Sequence, residues 1–177
     1  MEFPINDNAS IRRTLKNGLG LFAAQQLSIG VLVLSERPLT IHEDREQAIS
    51  CIATDFATFN QEEKEIFTRF FAGPVDTNPL YLKGDLRSMH AALPRRLKSI
   101  VKYNSVEGQG VGCFIGIASS TLNHDCLPNC FIYYDHTSNL ITLHALRPIA
   151  KNEELTISYL QETPFLSRND RRARLAN

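Results

Sequence analysis

The chain has 177 residues, 43% of them hydrophobic, and its 19 Lys and Arg balance 19 Asp and Glu. That is enough apolar material for one globular domain with a real core and too much for a disordered chain, and a formal charge of zero gives no net field to recruit nucleic acid or a membrane surface. No apolar run reaches the length that spans a bilayer, no basic-then-apolar segment opens the sequence, and Cys51, Cys113, Cys126 and Cys130 lack the spacing of a disulfide framework, so a soluble intracellular protein, nuclear or cytosolic, is expected.

Residues 1–11 read as a polar, extended lead-in without usable periodicity, and no function attaches to them. After Gly18-Leu19-Gly20, the runs 21–24 and 31–36 predict two short strands joined by 25–30, and Pro38 closes them. From 43 to 59 the residues Ile49, Ile52, Phe56 and Phe59 recur at helical spacing. Asn60-Gln61-Glu62-Glu63 is a capping box for a second helix carrying Ile66, Phe67, Phe70 and Phe71, which Gly73-Pro74 stops. These phenylalanines follow one helical face and belong to a core. Residues 74–84 read as a loop, and 85–103 as helix again, with Pro94 either breaking it or starting its last segment so that Leu97, Ile100 and Val101 face inward. Asn104 then suits a helix C-cap. A strand over 111–117 is followed by a polar block, then by a hairpin of 131–134 and 140–145 around 135–139, in which His136 is exposed and His144 lies on a strand face. A turn over 147–154, in which Asn152 tolerates positive φ, leads into a strand over 155–158 that delivers Tyr159. Arg168, Arg171, Arg172 and Arg174 make a basic tail, read as a solvated helix.

The polar block, Asn123-His124-Asp125-Cys126-Leu127-Pro128-Asn129, crowds two amides, an imidazole, a carboxylate and a thiol into seven residues. Any one of them alone could be a turn residue bonding its own backbone, but neither a core strand nor a surface helix has a use for the whole mixture. Together with Glu153-Glu154-Leu155-Thr156-Ile157-Ser158-Tyr159 and the earlier Asn17-Gly18-Leu19-Gly20-Leu21-Phe22-Ala23, it resembles the three motifs of SET-domain lysine methyltransferases. Their order and separation resemble the SET and MYND-type subgroup, over residues 13–175. The family usually has Ser where Asp125 stands and Gly where Asn152 stands.

The resemblance implies a mainly β fold with a helical insertion (α+β), a SET fold of short strands with a C-terminal pseudoknot in which the Tyr159 segment threads beneath the loop carrying Asn123. As one domain over 1–177, its parts are an N-terminal SET segment at 13–42, the helical insertion at 43–103, a C-terminal SET segment at 104–160 and a helix or tail at 161–177. The implied activity is methyl transfer from S-adenosylmethionine to a protein lysine, an in-line displacement that needs positioning, a deprotonated amine and a dry channel. Tyr159 matches the catalytic tyrosine. The backbone around Gly18, Leu19, Gly20 and Leu21 matches a cofactor contact, with Asn17 where the family often has Lys; Asn104, Asn123 and His124 complete the cofactor set. Implied partners are a lysine-bearing protein segment, with neither membrane nor direct nucleic acid contact, and a monomeric state.

Read from the residues alone, His124, Cys126 and Cys130 with Cys113 are also a candidate Cys3His zinc set. In the family, the cysteine at Cys126 joins three cysteines of a Cys-x-Cys-x2-Cys post-SET segment around one zinc; this sequence contains no such segment, so Cys126 is an orphan ligand and zinc is not expected. Two other readings stay open: a catalytically silent SET-derived interaction module, and a zinc-stabilised binding domain.

Overall fold

The computed structural model describes residues 2–4, 6–14, 18–70, 72–73, 93–108, 112–160 and 166–175. They form two compact units, one made of Met1–Glu36 with Thr121–Asn177, the other of Arg37–Ser120.

In the first unit a five-stranded sheet assembles from both ends of the chain. Its strands are β1 (Glu2–Pro4), β2 (Ala9–Arg13), β3 (Leu19–Ala23), β8 (Asn123–His124) and β11 (Glu154–Ile157), in the order β1-β2-β3-β11-β8. The lead-in expected to be merely extended is thus paired: β1 and β2 run antiparallel, with Phe3 opposite Ile11. Period-two alternation could not announce β2, because Ala9, Ser10 and Ile11 are all buried in succession. Asn6 makes the turn before it, its Oδ1 accepting from the Asn8 and Ala9 amides at 2.8 and 2.9 Å while its Nδ2 donates to the Val33 carbonyl at 3.0 Å.

The second sheet of this unit contains β4 (Leu32–Glu36), β9 (Cys130–Asp135) and β10 (Leu140–Ala145), in the order β4-β10-β9. The two N-terminal strands expected from the sequence therefore lie in different sheets. In β10, Ile141, Leu143 and Ala145 are buried in alternation, the pattern that sets its register against both neighbours. The β9–β10 hairpin turns through Asn139 at φ 57° and Asn152 turns at φ 68°, the left-handed region that Asn tolerates.

Among its described residues the second unit combines a small sheet, β5 (Thr40–His42), β7 (Gly112–Ile115) and β6 (Val106–Gly108), with the helices α1 (Arg45–Thr58), α2 (Gln61–Phe67) and α3 (Leu93–Asn104). Asp44 caps α1 by accepting from the Gln47 amide at 2.8 Å, and Asn60 with Glu63 closes the expected capping box on α2. The rings of Phe56, Phe59, Phe67 and Phe70 contact one another at 5.5–6.0 Å between centroids and pack with Ile52, Leu97, Ile100 and Val101. Helix α2 ends at Phe67, before the Gly73-Pro74 stop, and the buried Arg96 guanidinium donates to the carbonyls of Thr68 and Phe70 beyond it. Pro94 occupies the first turn of α3, where its missing N–H removes no helical bond. Phe71, the loop 74–84 and the helical reading of 85–92 fall outside the described residues.

Helix α4 (Arg168–Leu175) belongs to the first unit and buries none of its side chains, as a solvated basic tail should. Among the described residues no helix is long and apolar enough to cross a membrane.

Two glycines at positive φ separate backbone strain from collision. Gly30 (φ +78°) has open space where a Cβ would stand, whereas a Cβ on Gly112 (φ +82°) would lie 2.0 Å from the His42 carbonyl oxygen. Urea unfolding of Gly30→Ala should show a loss of about 1–2 kcal/mol, the strain alone. Gly112→Ala should lose roughly 4 kcal/mol or more, because β5 must also be displaced.

Candidate active site

Residues far apart in sequence meet because β11 has a different neighbour on each side. Its first half pairs antiparallel with β3, Glu154 opposite Phe22 and Leu155 opposite Leu21; its second half pairs in parallel with β8, Thr156 beside Asn123 and Ile157 beside His124. The Asp125 amide extends the parallel pair by donating to the Ile157 carbonyl at 3.0 Å. The Gly18–Leu21 backbone, Asn123, His124 and Tyr159 thereby fall within one unit.

A buried amide holds the crossing. Asn129 is 2% exposed. Its Nδ2 donates to the Glu154 carbonyl at 2.7 Å and to Glu153 Oε1 at 3.2 Å, and its Oδ1 accepts from the Thr156 amide at 2.8 Å. Glu153 in turn takes Arg147 Nη2 at 2.6 Å and the Ala150 amide at 2.9 Å, which together hold its carboxyl below the usual carboxylate range.

Tyr159 is fixed at both ends. Its amide donates to His124 Nδ1 at 3.0 Å, and its hydroxyl donates to the Leu122 carbonyl at 2.6 Å. The residue is 53% exposed, yet its hydroxyl is desolvated, and this burial together with the Glu154 carboxylate raises the phenol above its ordinary pKa. An amide N–H can only donate, so His124 Nδ1 must be the acceptor and the ring proton of the neutral imidazole sits on Nε2, facing the Cys126 sulfur at 3.2 Å. Burial lowers the His124 pKa; Asp125 opposes this and Arg171 adds to it. Asp125 also accepts from the Leu127 amide at 2.9 Å, closing the turn in which the thiol sits.

Asn123 is fixed as firmly. Its Nδ2 donates to the Leu19 carbonyl at 3.1 Å and to Glu154 Oε1 at 2.6 Å. Gly20 makes room for this arrangement: a Cβ there would lie 2.8 Å from Glu154 Oε1, 2.8 Å from Thr14 Cγ2 and 3.2 Å from Asn123 Nδ2. Gly18, at φ +78°, has open space instead.

Asn17 lies outside the described residues. Asn104 belongs to the other unit, where it ends α3 and its amide donates to the Ile100 carbonyl at 2.7 Å. The sequence reading did not single out Glu154, Asn129 or the Leu122 carbonyl. The first two stood inside the quoted motifs without a role, and a backbone carbonyl leaves no signal in residue type.

The four cysteines are free thiols. Cys130 is 1% exposed and burial pushes its pKa up to about 12. Cys113 is fully buried in the other unit. Among the described residues no three His, Cys, Asp or Glu side chains come together as metal ligands.

The sequence profile of the SET domain matches residues 18–160, from the first glycine of the N-terminal motif to the residue after Tyr159. The chain belongs to the SET-domain family. This SET domain is 27% identical over 147 residues to the histone-lysine N-methyltransferase set5 of Schizosaccharomyces pombe, covering 81% of the chain and 39% of that protein. It is 28% identical over 115 residues to a SET and MYND domain-containing protein of Dictyostelium discoideum, or 60% of the chain and 29% of the relative. With the human histone-lysine N-methyltransferase SMYD1 it shares 35% identity over 80 residues, 39% of the chain and 15% of that protein. The chain spans well under half the length of these curated relatives. The mixed, mainly β architecture of short strands with helices is that of the SET fold.

The raised phenol gives a prediction with a definite sign. A folded-state pKa above the unfolded value of about 10 means that stability is fully present below that value and lost as pH rises through the folded pKa. The near-ultraviolet absorbance titration of the SET domain minus that of Tyr159→Phe should show one phenol with a midpoint above about 10. A midpoint at or below that value would contradict the desolvated hydroxyl.

Proposed function

We propose that this SET domain transfers the methyl group of S-adenosylmethionine to a lysine side chain of a protein, histone or non-histone. The observation that carries the reading is the Tyr159 hydroxyl. Its proton is committed to the Leu122 carbonyl at 2.6 Å, so the oxygen lone pairs are what it offers to an incoming N–H. A phenol held neutral in this way can accept from a lysine amine and align the nitrogen lone pair for in-line attack, and the same desolvation disfavours the ammonium form.

The residues fit the cofactor. Asn123 Oδ1 has no partner among the described residues, and Gly18 leaves open space beside its backbone. Gly18, Leu19, Gly20, Leu21, Asn123 and His124 would hold it, with Asn17 and Asn104 added by family resemblance. When bound, S-adenosylmethionine supplies a methyl group on a sulfonium, already a strong electrophile. Tyr159 orients the acceptor amine, and the bond from its amide to His124 ties that tyrosine to the cofactor strand. The relatives set5 and SMYD1 are both called histone-lysine N-methyltransferases, which supports a protein substrate. The placement with SET and MYND-type proteins, a monomeric state, an intracellular location and independence of membrane and nucleic acid belong to the same proposal, and no role in it is given to zinc.

The test is transfer of labelled methyl from S-adenosylmethionine to core histones, read as methyl-lysine after hydrolysis. Tyr159→Phe should lower turnover roughly tenfold to a hundredfold and leave S-adenosylhomocysteine affinity within about threefold. Asn123→Ala and His124→Ala should each weaken that affinity by about tenfold. Equal loss of binding in all three variants would contradict the assigned roles.

A further inference from the structure

Both partners of the Asn123 amide nitrogen, the Leu19 carbonyl and the Glu154 carboxylate, can only accept. The amide orientation is therefore forced: nitrogen faces these two, both of its hydrogens are used, and Oδ1 is the polar atom left over. From this we infer that Glu154 is a positioning and specificity residue of the site, one that fixes Asn123 so that it meets its ligand as an acceptor and that adds a negative charge beside it. The inference rests on the methyltransferase reading of the site.

An isolated asparagine amide can turn over and present either a donor or an acceptor, so alone it selects neither. With Glu154 at 2.6 Å from Nδ2 that freedom is gone. The Leu19 carbonyl, Asn123 Oδ1 and the Glu154 carboxylate make a cluster of acceptors with a net negative charge and no free donor of their own. Such a cluster matches a group that carries several N–H donors and a positive charge. In S-adenosylmethionine and S-adenosylhomocysteine that group is the α-ammonium of the amino-acid arm; the adenine amino group is neutral and gains less from the carboxylate. Gly20 belongs to the same device, because a Cβ there would stand 2.8 Å from Glu154 Oε1 and force the carboxylate off the amide.

A positioning role and a merely structural one differ in which ligand suffers. 5′-Methylthioadenosine has the nucleoside and the sulfur but no amino-acid arm, so it tests the rest of the site. Glu154→Ala should weaken S-adenosylhomocysteine by about tenfold and leave 5′-methylthioadenosine within about twofold, while Glu154→Gln, which keeps an acceptor in place but removes the charge, should recover only part of the lost affinity. Gly20→Ala should reproduce the Glu154→Ala pattern, and it provides the test if removal of the carboxylate prevents folding. Unchanged S-adenosylhomocysteine affinity in either Ala variant, or equal weakening of both ligands, would overturn the inference and leave the methyltransferase reading standing. A folded wild-type chain that binds neither ligand would overturn both, and is distinguishable because it involves no variant.

Discussion

The short parallel contact between β8 and β11 is the constraint on which the rest of the site depends. Two residue pairs carry few backbone bonds, and parallel pairing is the weaker kind. The contact is stabilised from beneath and from the side. Leu155 and Ile157 are buried to 0% and 2% exposure and should contribute about 1.5–3 kcal/mol each. Asn129 bonds both the Glu154 carbonyl and the Thr156 amide, so β11 is held by a buried side chain. Because β11 also pairs with β3, fixing this strand brings the glycine motif, the Asn-His pair and Tyr159 into one unit.

Charge is distributed in the site so that each group has one form. Tyr159 is kept a phenol and gives its proton to a carbonyl, and His124 is kept neutral because its Nδ1 must accept an amide proton. Glu154 faces the donors of Asn123. Burial disfavours the charged forms of Tyr159 and His124, in agreement with these hydrogen bonds. A site arranged in this way needs little reorganisation to accept a cation and a neutral amine, the pair of reactants that methyl transfer from a sulfonium to lysine requires.

Local structure was legible in the sequence wherever one residue type answers one local need. The capping box at Asn60 and Glu63, the phenylalanine face of α1 and α2, the positive φ of Asn152 and the β9–β10 hairpin are of this kind. Sheet membership was not, because nothing in residues 21–36 says that one strand will pair with β11 and the next with β10. Strand β2 was hidden for a related reason: it is buried on consecutive positions, so its period is lost. The proposed site residues Asn123, His124 and Tyr159 were singled out through motif resemblance. Their coupling came only from geometry, since the bond from the Tyr159 amide to His124 Nδ1 joins positions 35 residues apart. Glu154 was passed over because a carboxylate next to a strand reads as solvated until its partner is known.

Calorimetric titration of the chain with S-adenosylhomocysteine tests most directly whether β11, seated between β3 and β8, builds a cofactor site. Saturable 1:1 binding is predicted, because the ligand needs the acceptors of Leu19 and Asn123 and no protein substrate. A chain that is folded by circular dichroism and takes up no ligand at millimolar concentration would contradict it.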